Sequence, residues 1–264
     1  MGHDPQGKIF LSGGIFMYQY IYDGFLSEEK YLRPMTVIEN RLADLGLQGR
    51  VNRLNLFKDP RELILEGMKR GVDTIVAVGN DETLCRVVNA VCDFDLTIGM
   101  IPLGPKNEIT KILGIGEGLL ACDCLSSRLI KKIDLGKIND VYFLAHLKTN
   151  SAVSLRQGKE YCVRSLRSNL VEIYNLPTEE EDADPEDGYL EARIRPAGRN
   201  FFKKNVRKNL SLGGTSSFPI REIILEGGNG ARVLVDGLRL VNTPAEVKIL
   251  PHHLKIIVGK NRLF

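Results

Sequence analysis

Two short segments of this 264-residue chain combine small, acidic and amide residues in an arrangement that suits phosphate. The first is Val76-Ala77-Val78-Gly79-Asn80-Asp81-Glu82-Thr83, an apolar run that breaks at a small-residue turn and continues into a helix-compatible stretch. A helix starting there would aim its free backbone N–H groups and its dipole at whatever sits above the carboxyl end of the strand. Taken alone, such a junction is also an ordinary βα turn in which Asp81 or Thr83 caps the helix. The second segment, Ile101-Pro102-Leu103-Gly104-Pro105-Lys106-Asn107-Glu108, again ends an apolar run and again opens a helix. Neighbouring parallel strands carry their following loops to one edge, so both turns would share the crevice where open α/β sheets bind ligands. Lys106 could then meet a phosphate charge. The candidate cofactor-binding set is Gly79, Asn80, Asp81, Thr83, Gly104, Lys106 and Asn107.

Those loops need βα units to hold them, and the first half of the chain supplies the pattern. Apolar spacing predicts strands over 18–22, 51–56, 74–78 and 97–101. Helices are predicted over 28–45, 61–69, 83–91, 107–113 and 117–125, the first with Val37, Ile38, Leu42 and Leu45 on one face and Ser27 before it as the cap. The continuous apolar run at 74–78 is typical of a strand buried on both faces of a parallel sheet. From residue 131 the helical pattern stops. Strands are expected over 138–147, 160–164, 170–174, 189–195, 220–225, 232–235, 246–249 and 254–258, separated by turn signals such as Gly227-Gly228-Asn229-Gly230 and Asp236-Gly237. The expected architecture is α/β: a parallel-sheet three-layer domain over 8–130, then a β-sandwich substrate-type domain over 131–258, with 259–264 packing back on the first.

Bulk properties narrow the function classes. With 43% hydrophobic and 26% charged residues the composition is that of a globular protein. A net charge of +3 and a pI near 8.5 fall short of the single-sign field of a nucleic-acid binder, so no nucleic-acid partner is expected. The five cysteines, Cys85, Cys92, Cys122, Cys124 and Cys162, form no C-x-x-C pair. They also lack metal-ligand spacing with His3, His146, His252 or His253, which suits a reducing cytoplasm and predicts no metal site. The uncharged stretch over 9–22 ends in Asp23 without a cleavage site, and no run is long and apolar enough to cross a bilayer. The carboxylate-rich stretch 179–187 reads as a solvated loop. The stretch 199–208 sets Lys203, Lys204, Arg207 and Lys208 beside Phe201 and Phe202; it reads as an exposed hairpin, with peripheral contact to an anionic membrane as the alternative.

The extended motifs resemble the diacylglycerol kinase catalytic family, which includes sphingosine and ceramide kinases and is distantly related to NAD kinases. The family's G-G-D-G-T-L-N-E-V-V-N-G is matched by Gly79-Asn80-Asp81-Glu82-Thr83-Leu84-Cys85-Arg86-Val87-Val88-Asn89-Ala90. Its P-L-G-T-G-N-D with a following L-G-I is matched by residues 102–108 with Leu113-Gly114-Ile115. Ile133-Asp134-Leu135-Gly136-Lys137-Ile138-Asn139 resembles the entry to the family's β-domain, and Val235-Asp236-Gly237 its late V-D-G-E stretch. The resemblance implies ATP-dependent phosphorylation of a diacylglycerol or sphingoid-type lipid hydroxyl, with ATP and Mg2+ as cofactors. It also implies Asp81 as the residue to work through Mg2+, and Asp81 and Asp236 as the catalytic candidates.

Departures from the family pattern are concentrated at those same motifs. Family glycines become Asn80, Glu82 and Lys106, where a Cβ is expected to narrow the cradle or strain a turn that wants positive φ. Arg86 stands where the family has an acid, and the early N-P-x-S-G motif is not recognisable between 18 and 26. Leu238 occupies the position of the glutamate that the resemblance assigns as acceptor-activating base; Asp236 survives two residues earlier, at a V-D-G turn where capping its own hairpin is the structural alternative. Three readings follow: a weak or degenerate lipid kinase, a non-catalytic nucleotide- or lipid-binding relative, or a structural protein whose sandwich forms a homo-oligomer.

Overall fold

The computed structural model describes residues 17–54, 59–158, 161–164, 169–178, 182–196, 215–228 and 230–264. The 199–208 segment and residues 179–181 lie outside the described residues. In the first half, β1 (Tyr18–Tyr22), β2 (Gly49–Arg53), β3 (Thr74–Gly79) and β4 (Thr97–Pro102) form a parallel sheet in the order β2-β1-β3-β4. Every residue of β1, β3 and β4 is buried. Layers on both faces are the physical reason these strands read as unbroken apolar runs. The covering helices are α1 (Glu29–Asp44), α2 (Pro60–Met68), α3 (Asp81–Val91), α4 (Glu108–Ile112) and α5 (Leu119–Ser127). Along α1, Met35, Ile38 and Leu42 are buried, while Val37 is 51% exposed, so the stripe runs one position away from the sequence reading there.

The second half continues through β5 (Ile130–Ile138), β6 (Val141–Phe143), β7 (His146–Thr149), β8 (Val153–Gln157), β9 (Tyr161–Arg164), β10 (Asn169–Tyr174), β11 (Leu190–Pro196), β12 (Ser216–Ile220), β13 (Glu222–Gly227), β14 (Arg232–Val235), β15 (Arg239–Asn242) and β16 (Ala245–Ile257). The single strand expected over 138–147 is three strands, because Asn139 adopts φ 49 and turns the chain between β5 and β6. One sheet of this half runs β12-β11-β10-β7-β14-β15, all antiparallel. It faces β5, β8, β13 and β16, and the core between them includes Phe143, Leu155, Ile173, Val233 and Val247.

The two strands expected over 246–249 and 254–258 are one. β16 pairs antiparallel with β13 and β5, shifts register between Leu250 and Leu254, and then pairs parallel with β4 through Lys255 and Ile256. The irregularity has a local anchor: His252 takes φ 50, and its N–H donates at 2.7 Å to the fully buried Asp134 carboxylate, which also accepts from Gly188 N–H at 2.6 Å. One strand therefore belongs to both halves, and the last residues return to the α/β part through Gly259 N–H to Leu113 O and Leu263 N–H to Ile112 O, both 2.9 Å. No helix among the described residues is long and apolar enough to cross a membrane.

Candidate functional site

β3 and β4 end together, with Gly79 opposite Pro102, and this places the two sequence-predicted loops side by side. Leu103 N–H donates to Gly79 O at 2.6 Å and Asp81 N–H to Lys106 O at 3.1 Å. The Asp81 carboxylate crosses the gap and accepts from Ile109 N–H at 3.0 Å and Thr110 N–H at 3.4 Å. It thus caps α4 rather than its own helix. Burial raises the Asp81 pKa above its ordinary value, and those N–H groups work in the opposite direction by favouring the charged form.

The cap of α3 is Asn80. Its Oδ1 accepts from Thr83 N–H at 3.2 Å while Asn80 N–H donates to Thr83 Oγ1 at 3.1 Å, a reciprocal capping box. Thr83 is fully buried, and its hydroxyl donates to Asp23 Oδ2 at 2.8 Å. Of the N–H groups over 80–83 that the sequence offers to an anion, those of Asn80, Asp81 and Thr83 are satisfied inside the protein. The strain expected at Asn80 and Glu82 is absent, since Asn80 has φ −115 and Glu82 lies in the first turn of α3. Lys106 alone of the three replaced glycines takes the left-handed conformation, at φ 67.

At the second loop Gly104 has φ 110, and a Cβ there would come within 2.9 Å of the Phe25 ring. Phe25 packs edge-on against Tyr31, with ring centroids 5.4 Å apart, so an aromatic pair covers this turn. Asn107 Nδ2 donates to Gly104 O at 2.8 Å, leaving its buried Oδ1 without a partner among the described residues. Sequence reasoning missed Phe25 and Asp23. Asp23 caps the short turn Gly24–Ser27, accepts from Thr83, and lies 3.8 Å from an Arg86 nitrogen. The available signal was an acid at the end of the first parallel strand, where the resembled family carries its nucleotide motif.

Asp236 lies at the turn between β14 and β15, with φ 47. Its carboxylate accepts from Leu144 N–H at 2.8 Å, Ala145 N–H at 2.9 Å and His146 N–H at 2.8 Å, and from the Cys85 thiol at 3.5 Å. The carboxylate is buried although the turn is partly exposed; burial raises its pKa, and the three backbone donors oppose that shift. Burial, and secondarily the Asp236 charge, pushes the Cys85 thiol well above its ordinary range. Asp236 does not cap its own hairpin. It fastens that hairpin to the β6–β7 connection and to α3.

Beside it opens a cleft of about 390 Å3, lined among others by Arg86, Asn89, Tyr142, Asp236, Leu238 and Arg239. Leu238 is 43% exposed there. Asp81, the carboxylate that would reach a nucleotide-bound Mg2+, already accepts from two N–H groups at the amino end of α4, while Lys106 and Asn107 stand on the neighbouring loop.

The sequence profile described as "Diacylglycerol kinase catalytic domain" matches residues 24–138. A "Diacylglycerol kinase" of Bacillus subtilis is 27% identical over 128 residues, which are 47% of this chain and 42% of that protein. A "Diacylglycerol kinase" of Staphylococcus haemolyticus is 34% identical over 127 residues, 47% of this chain and 38% of that protein. The match thus spans less than half the length of either relative. A crystal structure of a diacylglycerol kinase from Bacillus anthracis superposes with a TM-score of 0.78 at 17% identity, covering 94% of this chain and 98% of the other, which shows a shared fold. Profile, relatives and fold agree with the motifs at 79–90 and 102–115, and residues 24–138 of this chain are similar to the diacylglycerol kinase catalytic domain.

Proposed function

We propose that this protein is a lipid-kinase-like family member in which phosphoryl transfer to a lipid hydroxyl is feeble or lost while ligand binding persists. The observation that carries this reading is the turn at 236–238. Leu238 stands at the position of the acceptor-activating glutamate, and the carboxylate two residues away is already bonded to three backbone N–H groups. Leucine cannot take a proton, and general-base catalysis typically contributes about 10²- to 10⁴-fold. The cradle adds to the loss. Phosphoryl transfer depends on positioning and on donors aimed at developing charge, and here the N–H groups of 80, 81 and 83 have internal partners. ATP with Mg2+ stays the cofactor implied by the family; of this chain's groups, Lys106 is the cation that would face its phosphates, with Asn107 beside it.

The test is transfer of radiolabelled phosphate from ATP into a panel of diacylglycerol and sphingoid acceptors. Wild type should give little above the Asp81→Ala blank, and Leu238→Glu should give no less than wild type. Robust wild-type turnover abolished by Asp81→Ala would overturn the reading. A thermal screen with ATP, ADP and NAD, with and without Mg2+, reports nucleotide binding separately, because a ligand of the native state raises apparent stability. Any nucleotide shift should shrink in Lys106→Ala.

A further inference from the structure

Each of the two loops at the sheet edge keeps a glycine where a ligand would approach the backbone, and one piece of chain covers both glycines. A Cβ at Gly79 would lie 3.1 Å from the Asp23 Cβ, and one at Gly104 would lie 2.9 Å from the Phe25 ring. Asp23 and Phe25 belong to the turn that follows β1, where the N-P-x-S-G pattern is unrecognisable in the sequence. That turn is well fastened: Asp23 N–H donates to Val78 O at 2.9 Å, Glu28 N–H donates to Phe25 O at 3.1 Å, and Leu26 beneath it is fully buried. The Asp23 carboxylate also has a particular set of partners. Its Oδ2 accepts from the Thr83 hydroxyl at 2.8 Å and is ion-paired with Arg86 at 3.8 Å, while Oδ1 accepts from Phe25 N–H at 3.3 Å. With its side chain only 13% exposed, Asp23 fills this spot rather than bordering it.

A hydroxyl, a backbone N–H and a guanidinium are the groups by which proteins hold phosphate oxygens, and here a carboxylate of the same chain has taken all three. We propose that the turn over 23–27 is an internal plug of the nucleotide crevice: the Asp23 carboxylate takes the donors that a nucleotide phosphate would use, the Phe25 ring covers the backbone at Gly104, and nucleotide binds only when the turn is displaced. The proposal deepens the reading above and rests on it, by naming the contact that weakens nucleotide binding. When the competent state is a minor fraction of the molecules, apparent affinity falls by that fraction. Charge acts in the same direction, because Asp23 adds a third carboxylate to Asp81 and Glu82 near the place where phosphate must enter.

The experiment is calorimetric titration of the full chain and its variants with ADP, and with adenosine as the probe that lacks phosphate. Asp23→Asn keeps the side-chain shape and an acceptor for the Thr83 hydroxyl while removing the charge. It should bind ADP at least about tenfold more tightly than wild type and leave any adenosine binding unchanged. Phe25→Ala, which uncovers Gly104, should also tighten ADP by about tenfold, and Phe25→Leu is the milder variant should the alanine not fold. Adding Arg86→Gln to Asp23→Asn should cancel the gain, because the guanidinium released by Asp23 is then missing. Hydrogen exchange gives a second readout: in every variant that binds it, saturating ADP should speed exchange at Phe25 and Glu28, whose N–H groups hold the turn closed. Melting curves verify folding, and a turn with a purely structural role would lose stability on substitution without any gain in affinity. ADP affinity no higher in any folded variant than in wild type, an equal gain for adenosine in Asp23→Asn, or exchange at 25 and 28 unmoved by bound ADP would overturn the proposal. Its failure is separable from failure of the proposed function: robust phosphoryl transfer by the wild type overturns the latter whatever covers the crevice, whereas an inactive protein whose variants bind ADP no better overturns only this inference.

Discussion

Asp81 and Asp236 were both candidates for chemistry, and both turn out to hold backbone N–H groups of a neighbouring segment, but in different surroundings. Asp81 sits at the partly exposed rim of the parallel sheet, where it receives two N–H groups from the first turn of α4. Asp236 is buried between the halves of the molecule and receives three from residues 144–146 as well as the Cys85 thiol. The first joins two loops of one sheet edge. The second joins a hairpin of the sandwich to a helix of the α/β half, beside the reciprocal pair in which Asn89 of α3 donates to Tyr142 O and accepts from Tyr142 N–H. A carboxylate with that many short donors is a cross-link first, and whatever catalytic role it could have must compete with that one.

The sharpest way to break the comparison is to remove each carboxylate. Asp236→Ala leaves three buried donors unpaired, and hydrogen bonds to charged groups contribute about 1.5–3 kcal/mol each without adding fully, so a loss of at least about 3 kcal/mol is expected. Urea unfolding monitored by circular dichroism measures it; a change within about 0.5 kcal/mol would mean that the turn is held by something else.

His146 lies beside that anchor and should make acid sensitivity larger there than at the sheet edge. Burial, assisted by the Lys148 charge and opposed by Glu172, lowers its pKa to about 4 from 6.5. The unfolded chain takes up the proton first, so stability falls as pH drops from 6.5 towards about 4, by on the order of 2 kcal/mol. His146→Gln should flatten that part of the stability–pH curve. An unchanged curve would mean that the imidazole is hydrated in the native protein.

Asp81→Ala should cost less than Asp236→Ala, about 1–2 kcal/mol as for loss of a helix cap. Hydrogen exchange should accelerate first at Ile109 and Thr110; protection unchanged at both would remove the cap assignment. The smallest effect compares two left-handed residues, Lys106 at φ 67 and Asp236 at φ 47. Lys106→Gly relieves a conformation that costs a side chain about 1–2 kcal/mol and loses part of that to chain entropy, for a net gain of about 0.5 kcal/mol. Asp236→Gly keeps the same backbone freedom and should still be severely destabilising. Similar outcomes for the two would mean that backbone conformation, rather than the carboxylate, governs the turn.

Sequence alone determined the order of βα units, the all-β second half, and the meeting of the 79–83 and 104–108 turns. Unbroken apolar runs at 74–78 and 97–101 demand burial on both faces, and adjacent parallel strands deliver their loops to one edge. It also located the altered motif positions, because motif spacing is a property of the chain itself. The committed partners were not legible there. Asp81 bonds 28 and 29 residues ahead, Thr83 bonds 60 residues back, and Asp236 bonds 90 to 92 residues back. Nor did periodicity reveal that Phe25 lies against Gly104 or that β16 runs from one half into the other. Apolar periodicity reports which face of an element is buried, whereas the atoms that meet across a buried face are set by register and by turns in distant strands. Only the tertiary structure decided whether a polar group at the site was free for a ligand or already bonded to the protein's own backbone.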